Sequence, residues 1–201
     1  MSEPTVHVID DDADVRASLA FLLETADTPV QTYESAAAFL DIAPEASGCV
    51  VTDVRMPGMT GLELVEQLKA RGIELPVIVI TGHGDIALAV EAMKAGVVDF
   101  LEKPFDDEAL LGAIRSALVA RAEEDRRDAQ KSEIRQKMEA LSPRERQVLD
   151  GLVAGKANKV MANELDISPR TIEIYRAHVM TKMQARSLSE LVRMALAAGA
   201  G

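Results

Sequence analysis

The chain has 201 residues, of which 48% are hydrophobic, enough to build the cores of one large or two small domains. No apolar run approaches the roughly 18 residues that a membrane-spanning helix needs, and the first residues turn acidic at once, which argues against a secretion signal. Cys49 is the only cysteine, which excludes a disulfide framework and predicts a reducing, cytoplasmic setting.

The net charge of −11 is unevenly distributed along the chain. Residues 1–120 contain 21 acidic and 7 basic side chains, a net charge of −14, whereas residues 121–201 contain 12 acidic and 15 basic ones, a net charge of +3. An acidic first part favours cation binding, and a mildly basic second part is compatible with a polyanion. The two parts are therefore expected to bind different partners.

The first 120 residues alternate between short apolar runs and segments with helical spacing. The predicted strands are TVHVID at 5–10, VQTY at 30–33, CVVTD at 49–53, VIVIT at 77–81 and DFLEK at 99–103. Each is followed by apolar residues at helical spacing, at 15–23, 37–42, 62–68, 86–93 and 110–118. Five such units predict an α/β domain with a parallel sheet covered by helices on both faces.

Polar side chains mark the carboxyl ends of four of these strands, where ligands bind in such folds. They are Asp10, Asp11 and Asp12 after the first strand, Asp53 at the end of the third, Thr81 at the end of the fourth and Lys103 at the end of the fifth. Converging carboxylates need a cation, and Mg²⁺ prefers such oxygen ligands. Asp53 is then a candidate nucleophile for a phosphoryl group, with Lys103 and Thr81 as partners for the phosphate oxygens.

With Asp10-Asp11, Asp53 followed by Met56-Pro57, Thr81, and Lys103-Pro104, residues 1–120 resemble the receiver domain of two-component response regulators. The resemblance implies a five-stranded parallel, doubly wound, flavodoxin-like fold. It also implies that Asp53 accepts phosphate from a phosphohistidine on a sensor histidine kinase. By position, Asp11 and Asp53, helped by Asp10 and the backbone carbonyl of Arg55, would hold Mg²⁺. Asp12 has no fixed role in the family and is interpreted as a solvated acid.

The resemblance further implies a conformational switch. In the family, a hydroxyl residue turns to the phosphoryl group and an aromatic residue on the last strand moves inward; Thr81 and Phe100 occupy those positions here. Such a switch is a local charge change that is transmitted through a packing element with two states. Many receivers form homodimers through the fourth and fifth helices and the strand between them, so a homodimer is expected after phosphorylation.

Residues 121–137 form a charged segment between the two domains, which we place at 1–120 and 138–201. Neither Gly nor Pro occurs between Gly112 and Pro143, and Glu123 with Arg127 and Glu133 with Lys137 have the spacing of helical ion pairs. We therefore predict a helical linker without a core of its own.

After the linker, four short helices are predicted. Ser142 with Glu145 indicates a capping box at the start of the first, Gly155 ends it, and residues 158–165 form the second. Ser168 caps the third, Pro169 to about Met183, and Ser187 caps the fourth. Two helices joined by a short turn, the second rich in basic residues, are typical of a helix-turn-helix. A generic helical bundle gives the same spacing.

This part resembles the LuxR-type DNA-binding domain at LSPRERQVLDGLVAG, NKVMANELDIS, RTIEIYRAHVMTKM and RSLSELVR within residues 141–193. Over nearly the whole chain the resemblance is to FixJ-type nitrogen-fixation regulators, through ITGHGD at 80–85, EAMKAGVVDFLEKPF at 91–105 and SPRTIEIYRAHVMTKM at 168–183. It implies binding to double-stranded promoter DNA.

On a helical wheel of residues 169–183, Ile172, Val179 and Met183 face the bundle. The opposite face supplies the candidate base contacts, which are Arg170, Glu173, Ile174, Ala177 and Thr181. The candidate phosphate contacts are Lys159, Arg176 and Lys182, with Arg176 close enough to the buried side to pair within the bundle; Ser168 and Thr171 complete the predicted DNA-binding set. Many LuxR-type domains carry Lys at the positions of Glu173 and Ala177, so weaker general attraction to DNA and a different base preference are expected.

These features predict a response regulator that acts as a transcription factor, with RNA polymerase as a further candidate partner and no enzymatic turnover beyond phosphotransfer and slow dephosphorylation of its own aspartate. Two alternatives remain at this point. One is a Mg²⁺-dependent phosphatase with an aspartate nucleophile, because Asp10 and Asp12 fit an Asp-x-Asp arrangement. The other is a phosphorylation-dependent adaptor that binds protein instead of DNA.

Overall fold

The structure is a computed structural model that describes residues 4–82 and 86–199, apart from the side chain of Ile86. The chain divides into two compact units, residues 1–123 and 124–201, called here the sheet unit and the helical unit. Residues 83–85 of the ITGHGD motif lie outside the described part.

The described residues of the sheet unit form a five-stranded parallel sheet in the order β2-β1-β3-β4-β5. The strands are β1 (Thr5–Ile9), β2 (Val30–Tyr33), β3 (Gly48–Asp53), β4 (Val77–Thr81) and β5 (Asp99–Glu102). The helices are α1 (Ala13–Thr25), α2 (Ala36–Leu40), α3 (Gly61–Ala70), α4 (Ile86–Lys94) and α5 (Asp107–Glu139), with a short 3-10 turn at Ala43–Glu45. This order is the flavodoxin-like doubly wound arrangement, which confirms the predicted fold class.

Alternating side chains of the strands supply two separate cores. On one face Val50 and Val79 pack with residues of α2, α3 and α4, among them Phe39 and Leu64. On the other face Val51 and Ile78 pack with residues of α1 and α5. The central strands are apolar on both sides because both faces are covered.

The helical unit contains α6 (Pro143–Val153), α7 (Asn158–Glu164), α8 (Pro169–Met183) and α9 (Leu188–Ala197). The capping box predicted at Ser142 is present, and a second one at Thr60 with Glu63 begins α3. Ser168 and Ser187 accept hydrogen bonds from backbone N–H groups at the starts of α8 and α9, as predicted.

Residues 121–137 are helical throughout as part of α5, and Lys137 pairs with Glu133 at 2.7 Å. The prediction gave this segment no core of its own, and the segment contributes instead to the core of the helical unit. Ile134 is buried among residues of the helical unit, so the last turns of α5 belong to that unit's core. Within the described residues, no helix is both long enough and apolar enough to cross a lipid bilayer.

Candidate functional site

The carboxyl edge of the sheet gathers the polar residues that were singled out at the ends of the strands. Asp10 directly follows β1, Asp53 ends β3, Thr81 ends β4 and Lys103 directly follows β5. The strand registers align these ends, with Asp53 beside Ile80 and Thr81 beside Glu102. Parallel pairing thus turns four distant sequence positions into one site.

Lys103 lies between two carboxylates. Its Nζ donates to Asp53 Oδ1 at 2.9 Å and to Asp10 Oδ2 at 3.1 Å. The two carboxylate side chains are only 13% and 5% exposed, so water screens their charges weakly. Burial by itself lowers the pKa of Lys103, but the hydrogen bonds and negative charges of Asp53 and Asp10 outweigh that effect and raise it. Lys103 is therefore charged at neutral pH.

Asp53 is fixed by the turn that follows β3. The backbone N–H of Arg55 donates to Asp53 Oδ2 at 2.7 Å. Gly61 N donates to the Val54 carbonyl at 3.0 Å, and a side chain at Gly61 would collide with the main-chain carbonyl of Asp53. The start of α3 is thereby held against the end of β3, which keeps the Asp53 carboxylate at the edge of the sheet.

The loop after β1 fixes Asp10 and leaves Asp11 at the surface. Asp10 Oδ1 accepts from the backbone N–H of Asp12 at 2.9 Å, and Arg16 donates to the Asp10 carbonyl at 2.6 Å. Asp11 is exposed. Asp12 caps α1, because its Oδ1 accepts from the backbone N–H of Asp14 at 2.8 Å. The interpretation of Asp12 as merely a solvated acid was thus incomplete.

Within the part of the chain that the structure describes, no three acidic, histidine or cysteine side chains come together as a ready metal site. The ligand role of Asp11 accordingly stays a prediction. The donor set still fits Mg²⁺, since it consists only of oxygen atoms. Because Asp10 and Asp53 are joined through one ammonium nitrogen, their bonded oxygens lie within the sum of the two distances, 6.0 Å, of each other.

Thr81 and Phe100 lie on the same face of the sheet. Phe100 is aligned with Val79, two residues before Thr81, and both Phe100 and Val79 pack in the core under α2, α3 and α4. Thr81 is 1% exposed, whereas Phe100 is only partly buried. Diagonal neighbours on adjacent strands are within reach of an aromatic side chain. The arrangement fits the predicted switch pair.

A groove of about 580 Å³ borders Lys103 between α1 and the segment after β5. Most of the side chains that line it are apolar, and they include Val15, Leu19, Phe21, Leu22, Pro104 and Phe105. Phe21 is 71% exposed, which is unusual for so large an apolar side chain. No motif or periodicity in the sequence indicates this surface.

In the helical unit, α7 and α8 form the predicted helix-turn-helix. Ile172, Val179 and Met183 are fully buried and attach α8 to the bundle, as the helical wheel predicted. The five candidate base contacts, which are Arg170, Glu173, Ile174, Ala177 and Thr181, are all exposed. Lys159 on α7 is exposed as well. One side of α8 is therefore available for the major groove.

Two candidate phosphate contacts are engaged inside the unit. Arg176 donates to Asn158 Oδ1 at 2.7 Å, the internal pairing that its position near the buried side had suggested. Lys182 donates to Glu145 Oε2 at 2.7 Å and to the Ala140 carbonyl at 3.3 Å. At the start of α8, the Ser168 and Thr171 hydroxyls are hydrogen-bonded to each other at 2.8 Å.

Glu145 has a second role that its sequence context does not indicate. The capping motif accounts for its bond with Ser142, but nothing in the local sequence indicates a partner 37 positions away on α8. Its burial at 4% exposure was equally unexpected for a carboxylate in the first turn of a helix.

The partly buried Asp53 carboxylate at the edge of a parallel sheet, joined by Lys103 to the buried Asp10, defines a phosphoacceptor domain. The separate helix-turn-helix defines a DNA-binding domain. The family described as response regulator receiver domain matches residues 6–115, and that described as bacterial regulatory proteins, luxR family, matches residues 131–195. The chain belongs to the two-component response regulators with a LuxR-type DNA-binding domain, and it is a FixJ-like transcription factor.

Individual relatives support this assignment over nearly the whole length of the chain. The transcriptional regulatory protein FixJ of Azorhizobium caulinodans is 61% identical over 96% of this chain and 92% of its own. FixJ of Rhizobium meliloti is 55% identical over 100% of this chain and 99% of its own. Neither the phosphatase nor the adaptor alternative is supported.

Solved structures agree with the assignment. The response regulator StyR matches with a TM-score of 0.86 at 43% identity, over 97% of this chain and 99% of its own. Full-length FixJ from B. japonicum matches with a TM-score of 0.62 at 54% identity, over 99% of this chain and 98% of its own.

Proposed function

We propose that Asp53 is the phosphoacceptor of this response regulator and that it takes its phosphoryl group from a phosphohistidine of a sensor histidine kinase. The observation that carries the proposal is the contact of Lys103 Nζ with both Asp53 and Asp10, at 2.9 and 3.1 Å. A carboxylate that is held in place and partly shielded beside an ammonium group is arranged to receive a dianion.

In the transfer, an oxygen of Asp53 bonds to phosphorus while the bond between phosphorus and the imidazole nitrogen breaks, and the imidazole keeps the electron pair. Lys103 then binds an oxygen of the new acyl phosphate, and the Thr81 hydroxyl donates to another. Asp53, Lys103 and Thr81 all act on the one phosphoryl group, and none of them is assigned to binding a second substrate. The only chemistry we assign to the chain is this transfer and the slow hydrolysis of its own acyl phosphate.

Mg²⁺ would be held by the side chains of Asp10, Asp11 and Asp53 and by the backbone carbonyl of Arg55. When bound, the ion neutralises charge that builds up on the phosphoryl oxygens. The residues themselves contribute fixed oxygen donors: Asp10 is held by the backbone N–H of Asp12 and Asp53 by that of Arg55. Asp10 and Asp53 support this assignment, because their two negative charges exceed the single positive charge of Lys103.

The groove beside Lys103 is the proposed docking surface for the kinase. It lies next to the phosphoacceptor, and the exposed Phe21 ring supplies apolar contact area. A helix carrying the phosphohistidine would place that residue near Asp53 while its apolar side chains pack between α1 and Phe105. We place this exchange in the cytoplasm, together with the promoter DNA.

Phosphorylation is proposed to favour a homodimer through α4 and β5. Val90 and Met93 on α4 and Val98 before β5 are 46%, 55% and 44% exposed, a cluster of apolar side chains that association would bury. Thr81 turning to the phosphoryl group would let Phe100 move inward beside this surface. The two LuxR-type domains of the dimer would then bind the two halves of a symmetric promoter site. We also propose that the DNA-bound dimer contacts RNA polymerase.

The test is phosphorylation by acetyl phosphate in the presence of Mg²⁺, followed by intact-mass spectrometry. Wild-type protein should gain one phosphoryl group, whereas Asp53→Asn should gain none, because an amide oxygen is too weak a nucleophile. Asp41→Asn removes the same charge at an exposed position after α2 and should be phosphorylated normally. A phosphoryl group retained by Asp53→Asn would refute the assignment.

The dimer is tested on the same samples by sedimentation velocity. Wild-type protein and Asp41→Asn should become dimeric after phosphorylation, and Asp53→Asn should stay monomeric. Met93→Glu places a charge in the exposed apolar cluster and should still be phosphorylated but remain monomeric. A Met93→Glu variant that dimerises as wild type does would exclude the α4 surface.

A further inference from the structure

We propose that Glu145 positions the DNA-reading helix α8 and neutralises Lys182, so that this lysine is withheld from the DNA backbone and a single helical unit binds DNA weakly. The inference rests on the DNA-binding role of α8 and names a residue pair that limits the affinity of α8 for DNA.

Glu145 connects the beginning of α6 with the end of α8. Its Oε2 atom accepts from the backbone N–H of Ser142 at 2.7 Å and from Lys182 Nζ at 2.7 Å. Lys182 Nζ also donates to the Ala140 carbonyl, so two of its three N–H groups have partners within the unit. The pair anchors the last turn of α8 to the segment before α6.

The surroundings of Glu145 favour its charged form. The hydrogen bond from Lys182, followed by that from the Ser142 backbone, lowers the pKa of Glu145 to about 2. The Ser142 hydroxyl also faces the carboxylate, and His178 Nδ1 lies 3.7 Å from its other oxygen, Oε1. At neutral pH the carboxylate therefore cancels the charge of Lys182 at short range.

This pairing leaves few cations on the reading face. Of the three basic residues of α8, Lys182 is bound to Glu145 and Arg176 to Asn158. Arg170 is exposed and has no hydrogen bond or ion pair with the described residues. Each phosphate that a protein neutralises contributes about 0.9 to the slope of log affinity against log salt concentration. A unit with few such contacts binds weakly alone and gains most when a second unit binds beside it.

The experiment uses the full-length chain and a random-sequence DNA duplex, with affinity measured by fluorescence anisotropy between 50 and 200 mM NaCl. Glu145→Gln keeps the capping box, which accepts Gln at this position, but leaves the charge of Lys182 uncompensated. For Glu145→Gln we expect the slope of log affinity against log salt concentration to be steeper than that of wild type by about 0.9 per bound unit. Between 50 and 200 mM NaCl, the variant should therefore lose about 3.5-fold more affinity than wild type. The double variant with Lys182→Gln should return to the wild-type slope.

Asp150→Asn is the matched control. It removes one negative charge from the same unit, where Asp150 pairs with Arg146 at 3.2 Å on α6, and it should leave the slope unchanged. An unchanged slope for Glu145→Gln, or an equal loss of affinity at every salt concentration, would show that Glu145 only shapes the helix.

Lys182→Gln alone tests the inference without altering Glu145. If Lys182 is withheld from DNA, this variant keeps the wild-type slope. A slope flatter by about 0.9 would mean that Lys182 already contacts a phosphate, and the inference would be wrong. Wild-type protein that shows no salt-dependent binding to any duplex would instead refute DNA binding by α8.

Discussion

Lys103→Met tests whether the acidic pair at the sheet edge depends on its shared cation. Methionine keeps an unbranched apolar stem but removes the ammonium group between Asp10 and Asp53. Their bonded oxygens are at most 6.0 Å apart, the sum of the two contacts to Lys103. In wild type the ammonium group offsets the repulsion between these two charges, which at that separation is about 2.8 kcal/mol at an effective dielectric constant of 20, and in Lys103→Met this repulsion is uncompensated. The sheet unit should therefore lose about 2 to 3 kcal/mol of stability at neutral pH.

The assay must report the sheet unit separately from the helical unit. Hydrogen exchange measured by mass spectrometry on peptides from β1 and β3 does so, since it gives the opening free energy of those strands. At pH 7.5 with a chelator present, opening of Lys103→Met should require about 2 to 3 kcal/mol less than opening of wild type. Lys103 has a raised pKa, so its stabilising effect is complete below the unfolded value of 10.5 and thus at pH 7.5.

Added Mg²⁺ should reduce the penalty. At pH 7.5, added Mg²⁺ should stabilise Lys103→Met more than it stabilises wild type, because the ion no longer competes with the ammonium group. Equal opening free energies of the two proteins at pH 7.5, or a penalty that Mg²⁺ does not reduce, would refute the electrostatic interpretation.

Three further results are expected. Glu173→Ala should change base preference in a selection from random duplexes, since the exposed carboxylate can accept from a cytosine amine; a uniform loss of affinity would contradict this. Asp12→Ala removes the cap of α1 and should cost about 1 kcal/mol in urea unfolding, with phosphorylation of Asp53 retained. The pKa of Glu145 is lowered from its ordinary value of 4.5 to about 2, so the stabilisation by its charged form should be complete above pH 4.5 and decline below it. The difference in stability between wild type and Glu145→Gln should therefore shrink as pH falls from 5 to 3.

The fold was predictable because its signals are local. Apolar runs that end in polar residues located every strand, and the observed β2 and β4 have the predicted bounds, Val30–Tyr33 and Val77–Thr81. The capping box of Thr60 with Glu63 lies within four residues and defines the start of α3. Parallel strand order then brings the chain's candidate polar residues to one edge, which is a property of the fold class and does not depend on side-chain detail.

The sequence did not indicate which charged side chains pair with each other, because those pairings depend on side-chain conformation and on the path of the chain. Lys182 has the position of a phosphate contact on a helical wheel, yet its long side chain folds back to Glu145. Glu145 is explained locally as a capping residue, so nothing required a second partner. Asp12 was likewise one of three consecutive acids, and only the direction of the chain after β1 decides that it caps α1 while Asp10 reaches Lys103.

Both units thus contain a lysine that is held by acidic side chains, but the two arrangements differ in charge balance. Lys182 faces one buried carboxylate, so the pair is neutral and has no electrostatic need for another ligand. Lys103 faces two, Asp10 and Asp53, so this cluster keeps a net negative charge and favours a further cation. A phosphoryl dianion on Asp53 increases that imbalance and gives Lys103 a stronger partner than Asp10. We infer that the receiver site responds to phosphorylation because its charges are incompletely balanced, whereas the Glu145 pair stays fixed because its charges cancel.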